Sequence, residues 1–508
     1  MELLKNTVTQ YTLLSDCTYS QEETLETIVP DVNPDVLRII CASSELCIKE
    51  QSVQTGKVRI SGEVHSRIFY TAEGDPCIWQ VEGSTPFSCT ADIPQALPDD
   101  TLIVSGNAVG AQAVMLNPRK LSVKTQYCIR IQLYRCETLS FVSGAECDGD
   151  EDIYTQVSTI TPLFLVGIPQ RRLVINEEIR LSGGASAADR LYRSEISWVT
   201  EDLKVLTNKI MIRGSVCVKA TTLAGKDTGL SQHSYNLPFA QIIESDNTDV
   251  GDLVDISYQL LCADVRLAAG ADGAPVLQCS ITACAQAFVR RPIPMQVLSD
   301  LYSTAFESEM ETETLCVCTG MQSRNTAASF SETVQTDYPA VRVHDVAVCC
   351  ECRTPCAGDE SLSGWICFQI LYETTTGGLC CMNRKISLEA QADFCLAAGA
   401  SAQLECTDLQ TACTEEGSLC LSGKGVFRCS LPEADSCCQV KSFQLNRQNV
   451  KQRPRRGTLI LRAYGSGDTV WQLAKKYGAS PEAILSANKV SSENELAPGK
   501  LIIIPFSR

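Results

Sequence analysis

The side chains best placed to do chemistry in this 508-residue chain are thiols: Cys349, Cys350, Cys352 and Cys356 lie close together, followed by Cys367 and the adjacent pair Cys380-Cys381. Such a cluster could hold a metal, attack an electrophile or form cross-links. A structural zinc site needs two close ligand pairs around a tetrahedron, and Cys349-x-x-Cys352 is one correctly spaced pair. The second pair is lacking: Cys380-Cys381 can lend two thiolates only under strain, and Cys316-x-Cys318 is too tight unless its strand bulges. No metal is expected. A thiol nucleophile needs a base, and of the three histidines (His65, His233, His344) only His344 lies among these cysteines, without an activating motif. No catalytic residue, cofactor or enzymatic activity is expected. On a strand, Cys316 and Cys318 share a face while Cys349 and Cys350 face opposite sides. The thiols then divide into small buried hydrophobes and outer-face groups able to cross-link molecules in an oxidising environment. Cys349, Cys350, Cys352, Cys356, Cys380 and Cys381 are the candidates for cross-linking and the weaker candidates for a metal.

A second constellation lies near the C-terminal end. Leu459 to Ala463 reads as a strand, Gly465 and Gly467 as a turn, and Asp468 or Thr469 as the cap of a helix that buries Val470, Leu473 and Ala474. Tyr477-Gly478 stops it, Ser480-Pro481 opens a second helix with Ile484 and Leu485 inside, and Asn488 ends that one. Pro498-Gly499 then turns the chain into a strand, Leu501 to Ile504, closed by Pro505. This strand–helix–helix–strand order, with Gly467-Asp468-Thr469-Val470-Trp471, Leu473-Ala474, Tyr477-Gly478, Asn488 and Pro498-Gly499 in place, resembles the LysM family. The resemblance implies a shallow groove for N-acetylglucosamine-containing glycans between Gly465–Thr469 and Ser486–Lys489, where backbone groups meet the acetamides and apolar side chains cover the rings. A protein ligand fits the same surface. Leu473 reads as core, Trp471 as core or ligand contact, and the binding candidates are Gly467, Asp468, Thr469, Trp471 and Asn488.

With 44% hydrophobic and 20% charged residues, the chain is globular and long enough for several domains. A net charge of −17 disfavours nucleic acid and anionic membrane as partners. The opening residues lack the basic and apolar regions of a secretory signal, and no stretch has the length of a membrane span. A cytoplasmic protein is expected, which makes 28 cysteines notable, 16 of them in residues 301–450.

Alternation governs most of the chain. Val58, Ile60, Gly62 and Val64 face one side of a strand and Arg59, Ser61, Glu63 and His65 the other. Lys57, Gly62 and Pro86-Phe87 are answered by Lys209, Gly214 and Pro238-Phe239 at a constant offset of 152, as duplication produces. A fainter third unit carries Ser363-Gly364-Trp365 and no Pro-Phe pair. The expected architecture is a mainly β multidomain body of repeated antiparallel, sandwich-like units followed by a small C-terminal βααβ domain. The expected divisions are a polar lead-in (1–27), β domains at 28–145, 160–290 and 336–438, a connector (291–335) with a helix around Met295 to Phe306, a basic linker (439–457) and the C-terminal domain (458–506). Residues 451–508 hold ten Lys or Arg against four Asp or Glu, so the acidic body ends in a basic tail. The opposite charges could align molecules head to tail, and self-association is one expected partner relation.

The repeated units resemble SPOCS domains, on Lys57, Val58, Ile60, Gly62, Val64 and Pro86-Phe87 and on their second copies. SPOCS repeats ahead of a terminal LysM domain are similar to the clostridial spore coat morphogenetic family. That resemblance implies a non-enzymatic scaffold or adaptor in the mother-cell cytoplasm, at the forespore surface and in the spore coat, with no cofactor, no nucleic acid and no membrane span. It implies as partner the basal coat ATPase, the stage IV sporulation morphogenetic protein, reached through the LysM region. The alternative is a peptidoglycan or cortex glycan-binding protein acting through the LysM domain.

Overall fold

Period-two burial produces strands almost everywhere, and the order in which they pair repeats three times. The computed structural model describes residues 2–146, 152–181, 189–223, 229–270, 274–396, 399–450 and 459–505. The first repeat holds β1 (Glu2–Ile28), β2 (Val36–Gln54), β3 (Lys57–Ala72), β4 (Asp75–Asp92), β5 (Thr101–Asn117) and β6 (Lys120–Glu146). The short strands β7 (Ile153–Ile160) and β8 (Leu163–Gly167) lead to a second repeat of β9 (Gln170–Arg180), β10 (Arg190–Leu206), β11 (Lys209–Leu223), β12 (Leu230–Glu244), β13 (Leu253–Ala269) and β14 (Pro275–Pro292). After β15 (Met295–Ser303), the third repeat runs through β16 (Phe306–Val334), β17 (Ala340–Cys352), β18 (Ser361–Thr374), β19 (Leu379–Gln391), β20 (Ser401–Cys413) and β21 (Leu419–Val450).

In each repeat the second, third and fourth strands form a meander, and the first strand waits to pair with the sixth. The sheet orders are β2-β3-β4 with β1-β6-β5, β10-β11-β12 with β9-β14-β13, and β17-β18-β19 with β16-β21-β20. The two sheets of a repeat pack face to face: Val58, Ile60 and Val64 of β3 share a core with Tyr127, Ile129 and Ile131 of β6. The expected antiparallel sandwich is the observed one, but its divisions lie elsewhere. The stretch 1–27, read as a lead-in, is taken up from Glu2 onward by β1, paired with β6 along nearly its whole length. The 291–335 connector holds β15 and all of β16, and the 439–457 linker continues β21 to Val450, its remaining residues lying outside the described ones.

The helix expected around Met295 to Phe306 is strand β15. A register shift between Leu298 and Asp300 against β7 inserts one extra residue, Ser299. That bulge resets the alternation, so that apolar residues fall three or four apart and imitate a helical stripe.

The 152-residue offset has a physical basis. Gly62 faces Phe87 across the β3–β4 ladder and Gly214 faces Phe239 across β11–β12. The preceding strand bulges opposite each glycine, between Ile48 and Glu50 in β2 and between Thr200 and Asp202 in β10. The bulged backbone folds over the glycine so closely that a Cβ would collide with the Cys47 carbonyl at Gly62 and with the Val199 carbonyl at Gly214. In the third repeat Gly364 pairs with Leu388 in place of a phenylalanine, and the Glu351 carbonyl covers it as β17 ends. Pro86 and Pro238 are tolerated because β4 and β12 are edge strands.

Further matches appear at the same offset. The residues before β3 and β11, Gly56 and Asn208, are left-handed and clasp the loops after β4 and β12, through Gly56 N–H to Ala96 C=O (3.0 Å) and Asn208 N–H to Thr248 C=O (2.8 Å). Each loop then presents a buried carboxylate, Asp100 or Asp252. Arg135 donates to both oxygens of Asp100 at 2.8 Å, and Arg291 donates to those of Asp252 at 2.7 and 2.8 Å. The Arg135 bonds hold the Asp100 carboxyl below its usual range against the pull of burial. Burial pushes Asp252 up, but the bonds from Arg291 and the Asp249 N–H outweigh it and leave it lowered too.

The three repeats meet around one apolar cluster that none could build alone. Ile40, Cys41, Phe69 and Ile78 of the first pack with Tyr192 and Leu223 of the second and with Leu371 and Leu379 of the third. Polar contacts ring the junction: Arg67 bonds Glu45 at 3.0 Å and the Val265 carbonyl at 3.1 Å, Arg193 reaches Asp345 at 3.1 Å, and Gln369 donates to the Ala42 carbonyl at 2.7 Å. A disulfide from Cys47 to Cys262 ties the first repeat to the second. No helix among the described residues is long and apolar enough to cross a membrane.

Two predictions follow from these repeated features. Gly62→Ala or Gly214→Ala drives a methyl into a backbone carbonyl and lowers stability by roughly 3 kcal/mol in urea unfolding, with Ala introduced at exposed Gly467 as the neutral control. Because Asp100 and Asp252 have lowered carboxyl pKa values, their contribution is complete above the unfolded value near 3.8 and disappears as pH falls through the folded values. Asp100→Asn with Asp252→Asn therefore lowers the thermal midpoint at pH 7 and flattens its decline on acidification below about pH 4.

Candidate binding site on the C-terminal domain

The C-terminal domain forms as its sequence dictates: β22 (Leu459–Ala463), α1 (Val470–Tyr477), α2 (Pro481–Ala487), a short 3-10 turn (Glu493–Glu495) and β23 (Leu501–Pro505), with β22 and β23 antiparallel. Thr469 caps α1 by accepting from the Gln472 N–H at 3.1 Å, and left-handed Gly478 ends it. Ser480 caps α2, accepting from the Ala483 N–H at 3.0 Å, with Pro481 in the first turn where its missing N–H costs nothing. Val470, Leu473, Ala474, Ile484, Ile502 and Ile504 fill the core.

The five binding candidates take different roles. Gly467 is exposed, with open space where a Cβ would stand. Asp468 turns inward, receiving the Gly465 N–H at 2.9 Å and Arg462 at 3.0 Å on each oxygen. Thr469 is the helix cap. Asn488 is a staple: its amide donates to the Ile484 and Ile503 carbonyls, both at 2.7 Å, and accepts from the Ile503 N–H at 2.8 Å. Those bonds fasten the end of α2 to β23 and use most of what an amide can offer. The loops of the expected groove nonetheless remain accessible at Gly465, Ser466 and Gly467 and at Ser486 and Lys489, all exposed.

Trp471 faces the body rather than open solvent. Its indole N–H donates to Asp300 Oδ2 at 2.7 Å, and Lys475, one turn further along α1, bonds Asp300 Oδ1 at 2.5 Å. The Tyr302 ring meets Trp471 edge to face at 5.0 Å, its hydroxyl donates to the Ala479 carbonyl at 2.7 Å, and Tyr154 stacks behind it at 5.5 Å. Burial pushes the Tyr302 phenol far up, with Tyr154, Glu482 and Asp300 adding to it, so it stays a neutral donor. Asp300 and Tyr302 lie on β15 and Tyr154 on β7, the strands that join successive repeats and pair with each other. The bulge at Ser299 aims them: Leu298 and Leu301 pack into the body beside Val142 and Val440, which leaves Asp300 and Tyr302 for the C-terminal domain. Sequence reasoning missed Asp300 and Tyr302, because a helical reading of Met295 to Phe306 separates two residues that an extended strand puts on one side, and it missed Tyr154, which only the β7–β15 pairing brings to them.

The cysteine cluster is largely interior. By register, Cys350 and Cys352 stand where the first repeat has Leu46 and Ile48, opposite Ile366 and Gly364 as those stand opposite Val64 and Gly62. Burial pushes the thiols of Cys349, Cys350, Cys352 and Cys381 up to about 12, so they are neutral at pH 7 and ill suited to a metal that needs thiolate. Cys380 is buried and accepts from Arg38 at 3.2 Å, Cys381 belongs to the junction between repeats, and Cys356 is exposed beyond the end of β17. His344 pairs with Glu373 at 3.1 Å. Among the described residues no group of three or more His, Cys, Asp or Glu is arranged to hold a metal ion.

The staple makes a specific prediction. Asn488→Ala leaves the Ile503 N–H and C=O without their partner, while the Ile484 carbonyl keeps the Asn488 backbone N–H, and costs the C-terminal domain roughly 2–3 kcal/mol. Hydrogen exchange should rise in α2 and β23 while the protection of β3, β11 and β18 stays as it was. Two family models match the chain: one described as the SipL, SPOCS domain over residues 35–114, from β2 to near the end of β5, and one described as the LysM domain over residues 465–505. No curated protein and no solved structure matches it. The SPOCS and LysM architecture is consistent with a non-enzymatic, sporulation-related scaffold. The chain thus carries a SipL-type SPOCS domain and a C-terminal LysM domain, the combination its motifs resemble.

Proposed function

We propose that this protein is a morphogenetic scaffold of the spore coat, working in the mother-cell cytoplasm at the forespore surface, where it joins the basal coat ATPase, the stage IV sporulation morphogenetic protein, to the growing coat. The observation that carries the reading is the union in one chain of a SPOCS domain with a LysM domain seated on a three-repeat body. A body whose repeats share one apolar junction is a rigid platform, and a rigid platform presents its binding faces at fixed spacing. Exposed Lys489 supplies charge on the LysM side that an acidic protein surface complements.

The second reading, a peptidoglycan or cortex glycan-binding protein, is favoured by the exposed loops at Gly465–Gly467 and Ser486–Lys489. The readings separate in one experiment. The full chain and Gly467→Trp, which fills the loop surface, are used as bait in lysate from sporulating cells, with and without excess soluble peptidoglycan fragments. Retention of the ATPase by both baits in excess glycan supports the scaffold. Loss of the ATPase from the wild-type bait, together with direct binding of the fragments that Gly467→Trp abolishes, replaces it with the glycan reading.

A further inference from the structure

One recognition surface of the LysM domain is already filled, and its occupant states the chemistry it selects. Trp471 and Lys475 lie one turn apart on α1 and direct an indole N–H and an ammonium at the two oxygens of one carboxylate, Asp300. Two residues along β15, on the same side of the strand, the Tyr302 ring covers the edge of Trp471 and its hydroxyl satisfies the Ala479 carbonyl between α1 and α2. The occupant is therefore an extended segment read at alternate positions: a carboxylate, a spacer that points away, and a phenol ring. The spacer, Leu301, is buried in the body with Leu298 and Val440 and takes no part.

We infer that the α1 face of the LysM domain is a docking surface for a protein strand bearing an acidic residue and, two positions on, an aromatic residue, and that Asp300-Leu301-Tyr302 of the body holds this face until such a strand displaces it. The inference rests on the reading that the LysM domain meets a protein partner. A chitin or peptidoglycan fragment has no aromatic ring to stand in for Tyr302, and the exposed loops admit a glycan without disturbing α1. A partner strand must offer both groups, because either one missing leaves a half-buried donor or the Ala479 carbonyl without a partner. The body's own segment competes at the high effective concentration of a tethered ligand, so the intact protein binds the strand weakly and an emptied seat binds it well.

The test uses the full chain and a fluorescent peptide with the sequence of residues 297–304, Val-Leu-Ser-Asp-Leu-Tyr-Ser-Thr. Asp300→Asn with Tyr302→Phe keeps the volume of the seat while weakening it, and Asp300→Ala with Tyr302→Phe empties the carboxylate position. Both variants should bind the peptide at least about tenfold more tightly than the wild type. Adding Trp471→Ala to either variant, or replacing Asp by Asn and Tyr by Ala in the peptide, should abolish the gain. Hydrogen exchange should rise across α1 in both variants, with β3, β11 and β18 unchanged as evidence of folding, and chito-oligosaccharide should leave α1 protection in the wild type unaltered. Equal peptide affinity in wild type and variants, a gain that survives Trp471→Ala, or unchanged α1 exchange in both variants overturns the inference. Its failure is distinct from that of the scaffold reading: a bait that retains the ATPase without responding to the peptide refutes only this docking chemistry, whereas a responsive α1 face on a bait that never retains the ATPase refutes only the named partner.

Discussion

Closure of each sandwich by its own first strand is the constraint from which the rest of the architecture follows. β1 lies on β6, β9 on β14 and β16 on β21, each pair antiparallel and each separated in sequence by a whole meander. A repeat can close only if the chain lays down its outer strand before its central sheet, so nearly every residue between meanders is consumed by a ladder. What remains between repeats is short: β7 and β8 before the second, β15 before the third. Left without a place in either sandwich, β7 and β15 pair with each other, and the resulting two-stranded ribbon is the seat of the LysM domain. The module's position is thus a consequence of how the repeats close.

The same constraint explains what was legible in the amino-acid order. The central strands of the meanders are buried on alternate residues and sit beside glycines that backbone crowding requires, so Gly62 and Gly214 announce the duplication. The closing strands are another matter. β1 and β16 expose one face to water over long stretches, and their threonines and glutamates resemble linker as readily as strand. Nothing local tells Glu309 or Glu311 that a partner waits more than a hundred residues downstream. The LysM domain could be parsed almost residue by residue because its signals are local: Thr469 and Ser480 cap, Gly478 stops, Pro481 starts. The Ser299 bulge shows the opposite limit, since one inserted residue turns a strand's spacing into a helix's. Asp100 and Asp252 were readable at the 152-residue offset, but their importance lies in Arg135 and Arg291, which only the folded loops bring to them.

The cysteines make sense as packing before they make sense as chemistry. Cys350 and Cys352 replace Leu46 and Ile48 of the first repeat, and Cys406 and Cys413 line the same third-repeat core. A thiol is a small apolar filler that loses little by burial, and raised pKa values are the electrostatic expression of that role. Cys47 and Cys262 differ because each sits beside a bulge, in β2 and in β13, where the strand turns a residue out toward the neighbouring repeat. Bulges thus stand at two of the contacts that reach beyond a single sheet, the disulfide and the ribbon under the LysM domain, and at the glycine crossings inside the meanders.

The LysM domain has two faces with opposite histories. Its loops, Gly465–Gly467 and Ser486–Lys489, stand free of the body, whereas the tryptophan expected to meet a ligand is bonded within the chain. A half-buried tryptophan gains from any apolar contact, but the arrangement around Asp300 is more selective than apolar burial requires, because a cation and an indole N–H converge on one carboxylate with a phenol beside it. A purely structural joint between domains could be made with leucines and would be harder to open. A joint made of one carboxylate and one aromatic ring is satisfied by any strand that brings the same two groups, so the chemistry that holds the domain also specifies what can release it.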